Sequence, residues 1–207
     1  MPLDLWLTFA AASTLLLVIP GPTLLLVLNY ALTQGRRVAI ASALGVATGD
    51  LIAMTLSVVG LGALLLASAT AFTVLKWVGA VYLIYLGLRM LRASTPPLLP
   101  HGAIGTERPG KVFRDLAAVT ALNPKSNTFF VAFVPQFINP EIAFAPQAGI
   151  LIATFVGIAG INALIFALAA NAMRQQITRP NLLQWITRAG GVSLIGMGIL
   201  TATLRRT

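Results

Sequence analysis

Long apolar runs, each closed by a short basic or Pro/Gly-rich stretch, make up most of the chain. Six can be marked, at about 5–32, 38–66, 72–91, 113–137, 146–173 and 183–204. Each is close to or above the ~20 residues an α-helix needs to cross ~30 Å of hydrocarbon. Two of the runs are interrupted inside: Pro20-Gly21-Pro22 in the first and Asn123-Pro124-Lys125 in the fourth. Proline removes a backbone donor and clashes with the carbonyl one turn earlier, so a helix must open at both places. Opened backbone at membrane depth survives only where it is buried in protein or lines a cavity, and paired interruptions in two halves of a chain point to a transport site.

The pattern predicts an all-α polytopic membrane protein with six transmembrane helices, the first and fourth broken. Composition agrees: 57% of the 207 residues are hydrophobic and 9% charged, with a mean hydropathy of +0.89. The start, Met1-Pro2-Leu3-Asp4, has no basic segment, and no small-residue cleavage site precedes Pro20, so the first run reads as a retained helix. The formal charge of +9 does not form a nucleic-acid face, because the basic residues are scattered at helix ends. Arg36, Arg37, Arg89, Arg92, Arg108, Lys111, Arg114, Arg174 and Arg179 fall in or beside the odd-numbered loops. Basic loops stay cytoplasmic, which places both termini outside. Arg205 and Arg206 oppose this, and the larger loop asymmetry outweighs them.

The two halves resemble each other. Gly79-Ala80-Val81-Tyr82-Leu83-Ile84-Tyr85-Leu86-Gly87 aligns with Gly190-Gly191-Val192-Ser193-Leu194-Ile195-Gly196-Met197-Gly198, and Pro20 to Val27 aligns with Pro124 to Val131. Three spans per copy would turn the second copy upside down, giving two inverted three-helix repeats at 1–95 and 112–207 joined by a cytoplasmic linker at 96–111.

In order and spacing along nearly the whole chain, Pro20-Gly21-Pro22, Gly35-Arg36-Arg37 with Gly45 and Gly49, Lys76-Trp77 with Gly79-Ala80 and Gly87, Asn123-Pro124-Lys125 and Pro135-Gln136-Phe137 resemble the lysine exporter (LysE/RhtB) family of bacterial amino-acid exporters. The resemblance implies efflux of amino acids or small derivatives across the bacterial cytoplasmic membrane, driven by an ion gradient. No Walker-type loop is present.

Asp50 stands well inside the second apolar run, where a carboxylate is costly and marks ion or substrate pathways by default. It is expected to carry the coupling proton or to anchor a substrate ammonium; the alternative is a structural pair or cap. Lys125 beside the second break can hold a substrate carboxylate, snorkel to the interface, or neutralise Asp50. Pro20, Gly21, Pro22, Asn123 and Pro124 supply the opened backbone, and Asn127 and Asn162, with Asn29, Gln136 and Asn171, line the cavity or join helices. Gly45-x-x-x-Gly49 fits close helix packing within a monomer or between subunits of a homo-oligomer. The one histidine, His101, lies in the linker and cysteine is absent, so neither a metal cofactor nor intramembrane hydrolysis is expected. A passive channel or ion transporter is the competing expectation, since broken helices also build pores.

With Asp4, Glu107, Asp115 and Glu141 at run ends or in loops, Asp50 is the only one of five acids expected in the cavity, and a second substrate cation beside Lys125 would lack an anion. The cargo is therefore expected to be a neutral amino acid, such as threonine, homoserine or a leucine-like molecule, by proton antiport. Leu24, Leu25, Leu26, Phe129, Phe130 and Phe133 flank the breaks and either receive its side chain or face lipid.

Overall fold

The computed structural model describes residues 1–67, 69–92, 107–139, 141–170 and 180–203, and these are helical with no strand among them. The helices are α1 (Leu3–Val18), α2 (Pro22–Gln34), α3 (Ala39–Ala67), α4 (Ala69–Arg92), α5 (Pro109–Ala121), α6 (Pro124–Ala132), α7 (Phe144–Ala169) and α8 (Pro180–Thr203). Single 3-10 turns at Gly35–Val38 and Val134–Phe137 follow α2 and α6.

The first and fourth apolar runs each fold as two helices. Ile19, Pro20 and Gly21 separate α1 from α2, and Leu122 and Asn123 separate α5 from α6. Pro22 and Pro124 each stand at the first position of the second half-helix, where a missing N–H costs nothing because that donor has no helical acceptor. This helix register pairs Pro22 with Pro124, two residues away from the Pro20-to-Pro124 alignment of the sequence. Gly35 ends α2 with φ 67°, its N–H donating to Ala31 O, a left-handed closure that favours glycine. Of the expected linker, residues 96–106 lie outside the described residues, as do His101, Asn171, Arg174, Arg179, Arg205 and Arg206.

Packing is set by small residues. A Cβ at Gly45 or Gly49 would lie 2.6 Å from the carbonyl oxygen of Phe113 or Ala117, so α3 meets the backbone of α5 directly. On the other flank α4 packs on α8: Gly87 lies against Gly191 O and Ile195, and Gly198 lies against Ala80 O and Ile84. α3 also packs on α7, α7 on α1 and α2, and α4 on α6. Close glycine contacts of this kind join helices where no hydrophobic effect drives them together.

The core is partly aromatic. Phe9, Phe129, Phe130, Phe133, Phe137 and Phe155 are buried and form one cluster, with ring centroids 4.8 Å apart for Phe130–Phe155, 4.9 Å for Phe129–Phe133 and 5.2 Å for Phe9–Phe137. Phe129, Phe130 and Phe133 therefore pack into the protein and do not face outward. The outer faces carry Leu7, Leu15, Ile40, Leu44, Leu56, Val78, Val81, Ile161 and Ile165 exposed, a surface suited to lipid and unsuited to water. By length and apolar character, Pro22–Gly60 and Phe144–Ala169 are each able to cross a membrane.

Candidate functional site

The two breaks face one cavity of about 30 Å³. Each contributing element gives short or polar side chains to it: Leu17, Ile19, Gly21 and Thr23 from the first break, Thr120, Asn123, Lys125 and Ser126 from the second, Val46 and Asp50 from α3, and Ala159, Asn162 and Ala163 from α7. That volume is room for about one or two waters.

At the first break, α1 ends without a partner of its own for its last carbonyls, and the groups that satisfy them come from far along the chain. Lys125 Nζ donates to Leu16 O and to Ile19 O, both at 2.9 Å. Asn162 Nδ2 donates to Leu17 O at 3.2 Å. An ammonium at the carbonyl end of a half-helix also meets the negative end of its dipole. Gly21 leaves room for the lysine: a Cβ there would sit 3.3 Å from Lys125 Nζ. On the other side of the break, the amino end of α2 has no side-chain cap, and the amides of Thr23 and Leu24 lie within the first turn, where no helical acceptor exists.

The second break is closed from within. Leu122 N–H donates to Ala118 O at 3.1 Å and Asn123 N–H to Thr120 O at 3.0 Å. Asn127 Nδ2 donates to Ala121 O at 3.1 Å, and Asn123 Oδ1 caps α6 by accepting from Lys125 N–H at 3.0 Å. Asparagine is among the best residues for that position. Asn123 Nδ2 then reaches across to Thr23 Oγ1 at 3.0 Å, and Thr120 Oγ1 donates to the same hydroxyl at 3.4 Å. Thr23 thus ties the amino end of α2 to the second break.

Asp50 is 1% exposed, and its Oδ1 is buried without a hydrogen-bond partner. Lys125 is nine-tenths buried. Although both line the cavity, they form no direct ion pair: among the described residues the one pair within 4.0 Å is Lys111–Glu107, at the start of α5. There the hydrogen bond that Lys111 Nζ donates to Glu107 Oε1 raises the Lys111 ammonium above the ordinary lysine range. Two of the three Lys125 donors are committed to carbonyls, and one remains. The cavity therefore holds one carboxylate open to a cation and one ammonium with a spare donor.

The broken helices carry different contacts along their lengths. Phe9 of α1 and Phe129 and Phe130 of α6 belong to the phenylalanine cluster. Between the end of α2 and the start of α5 the contacts are polar: Tyr30 Oη donates to Asp115 Oδ2 at 2.5 Å, and Glu107 N–H donates to Gln34 Oε1 at 3.1 Å.

Of the residues singled out from the sequence, Gly21, Asp50, Asn123, Lys125 and Asn162 line the cavity, and so does Leu24. Pro20, Pro22 and Pro124 shape the breaks without lining it, and Asn127 serves the closure of α5. Gln136 Nε2 donates to Thr201 Oγ1 at 2.9 Å and joins α8 to the turn after α6. Thr23, Thr120 and Ser126 line the cavity and were not singled out. Thr23 and Ser126 stand within two residues of the break prolines, a signal the sequence offered. Thr120 lies two residues before its break and one turn before Pro124, and only the folded geometry brings it in.

Comparison with known proteins follows the same outline. The model of the LysE type translocator family matches residues 14–205. The homoserine/homoserine lactone efflux protein of Salmonella typhimurium is 34% identical over 205 residues, covering 99% of each chain. An uncharacterized membrane protein of Vibrio cholerae is 30% identical over 205 residues, covering 99% of this chain and 100% of its own. The leucine efflux protein of Salmonella typhimurium is 29% identical over 216 residues, covering 98% of this chain and 96% of its own. No solved structure matches.

Proposed function

We propose a function for this chain, which belongs to the LysE type translocator family and is a bacterial membrane transporter, not an enzyme: it exports neutral amino acids or their small derivatives from the cytoplasm, in exchange for protons. The observation that carries this reading is the cavity between the two breaks, lined by a single carboxylate, whose Oδ1 has no hydrogen-bond partner, and a single ammonium with a donor to spare.

An α-amino acid presents an ammonium and a carboxylate one carbon apart. Asp50 Oδ1 receives the ammonium. The carboxylate goes to the amino end of α2, where the amides of Thr23 and Leu24 and the positive end of the helix dipole favour an anion, helped by the third donor of Lys125. With cargo absent, a proton on Asp50 takes the place of the ammonium, which makes proton entry and amino-acid exit alternatives at one oxygen. Cargo with a second positive charge would find no second acid among the lining residues, and burying it unpaired costs several kcal/mol. Relatives named for homoserine and for leucine agree with neutral cargo.

The same reading takes the helices as six spans in two inverted repeats, with both termini outside. Its support is a symmetry of contacts. The aligned segments of α4 and α8 exchange Gly87 with Gly198, Ala80 with Gly191 and Ile84 with Ile195. Under that exchange the contact of Gly87 with Gly191 O and Ile195 becomes the contact of Gly198 with Ala80 O and Ile84, and both are present.

Efflux from cells or vesicles loaded with a panel of amino acids tests the proposal. Saturable efflux of neutral amino acids that collapses with the proton gradient is expected. Stronger efflux of lysine or arginine than of any neutral amino acid, or flux that does not saturate, would overturn it.

A further inference from the structure

Carbonyl oxygens released where a membrane helix unwinds are, in secondary transporters generally, where a monovalent cation is coordinated. Leu16 O and Ile19 O are such a pair, at the end of α1 and beside the cavity. Both accept from one nitrogen at 2.9 Å, and that nitrogen belongs to Lys125, more than a hundred residues away. Three further features fit the ammonium to this place. Gly21 leaves the space its Nζ and Cε occupy. The Asn123 cap fixes the backbone from which the side chain springs. No carboxylate lies within 4.0 Å of it among the described residues, so the carbonyls, and not an ion pair, are its partners.

We infer that Leu16 O and Ile19 O form a monovalent-cation seat at the first helix break and that the chain fills this seat with its own Lys125 ammonium. A tethered cation does for α1 what a bound sodium or potassium ion would do, so neither ion is needed there. Because the tether is anchored in α6, the first break keeps its carbonyls satisfied only while the second stays within reach, and the two breaks move as a unit. The inference rests on the exporter reading only in its transport measurement.

The test replaces the tether with a free ion. Lys125→Ala removes Cγ, Cδ, Cε and Nζ, which together are propylammonium. Full-length protein in detergent is melted in choline buffer, with and without propylammonium or tetramethylammonium. The variant is expected to melt lower than the unsubstituted protein and to regain about 2–4 °C with propylammonium. Tetramethylammonium, which has no N–H to donate, is expected to do nothing, and the unsubstituted protein is expected to respond to neither. A propylammonium response equal in both proteins, or absent from both, would overturn the inference.

Should Lys125→Ala yield no folded protein, the unsubstituted chain still decides the matter. With its seat filled, exchanging sodium or potassium for choline leaves both its melting temperature and its efflux unchanged, and a requirement for either ion would sink the idea. Failure of the exporter reading would show instead as no amino-acid flux in any buffer, and the melting comparison would stand apart from it.

Discussion

The two helix breaks begin alike, each second half opening on a proline, and differ in where their hydrogen bonds go. The break at 122–123 is closed almost entirely by residues within a few positions of it, Ala118, Thr120, Asn123 and Asn127. The break at 19–21 has its carbonyls satisfied by Lys125 and Asn162 from other helices, and its amino end has no cap. A break that supplies its own partners is a fixed support. One whose partners arrive from elsewhere is held in place only while those helices stay close, and its uncapped amides are the ones the proposed function assigns to cargo.

Three substitutions would break or sharpen this contrast, and the largest effect is expected at Asp50. Asp50→Asn keeps the shape of the side chain and removes the charge that, in the proposed mechanism, cargo ammonium and proton share. Losing one side of a buried charge interaction costs ~2–5 kcal/mol, so gradient-driven efflux is expected to fall on the order of 100-fold or more while the protein still folds. Normal uphill efflux by folded Asp50→Asn would remove the cavity from the mechanism.

A matched pair comes next in size. Asn162→Ala and Asn127→Ala each delete one side-chain donor to a carbonyl freed by a break, at 3.2 and 3.1 Å. Each bond is worth ~1 kcal/mol. At the first break the loss is expected to appear mainly in transport, as a several-fold lower efflux rate. At the second it is expected to appear mainly in stability, as a fall of about 2–4 °C in melting temperature. The same split between rate and melting temperature at both positions would erase the distinction between a working break and a fixed one.

The smallest effect is expected from making the first break resemble the second. Gly21→Ser gives α2 the side-chain cap it lacks, a gain of only a few tenths of a kcal/mol. Its Cβ also presses on Lys125 Nζ, and its hydroxyl competes for the amides. Unchanged or higher stability together with several-fold weaker efflux is expected; higher efflux would argue that those amides do not receive cargo.

The sequence carried the helix positions and both breaks, because apolar length and proline act locally. It also brought forward Asp50, Asn162, Asn123 and Lys125, which the fold gathers around one cavity, since a polar group within an apolar run is conspicuous. The partners of Lys125 were not legible. Its acceptors are backbone oxygens of Leu16 and Ile19, and a carbonyl leaves no mark in the residue code. Phe129, Phe130 and Phe133 could be read either as a cargo pocket or as lipid contacts; they do not face outward, because α6 packs against Phe9 and Phe155, and they do not line the cavity between the breaks. Pro20 and Pro22 offer equal anchors to an alignment with Pro124, while only Pro22 starts a helix.

The phenylalanine cluster bears on what happens when there is nothing to export. A membrane that stores energy as a proton gradient is discharged by any continuous thread of water through it. The six packed rings themselves offer only carbon, and no hydrogen-bonding group, to such a thread. In the proposed exporter, such a plug of rings would let an idle copy hold its buried acid without short-circuiting the cell.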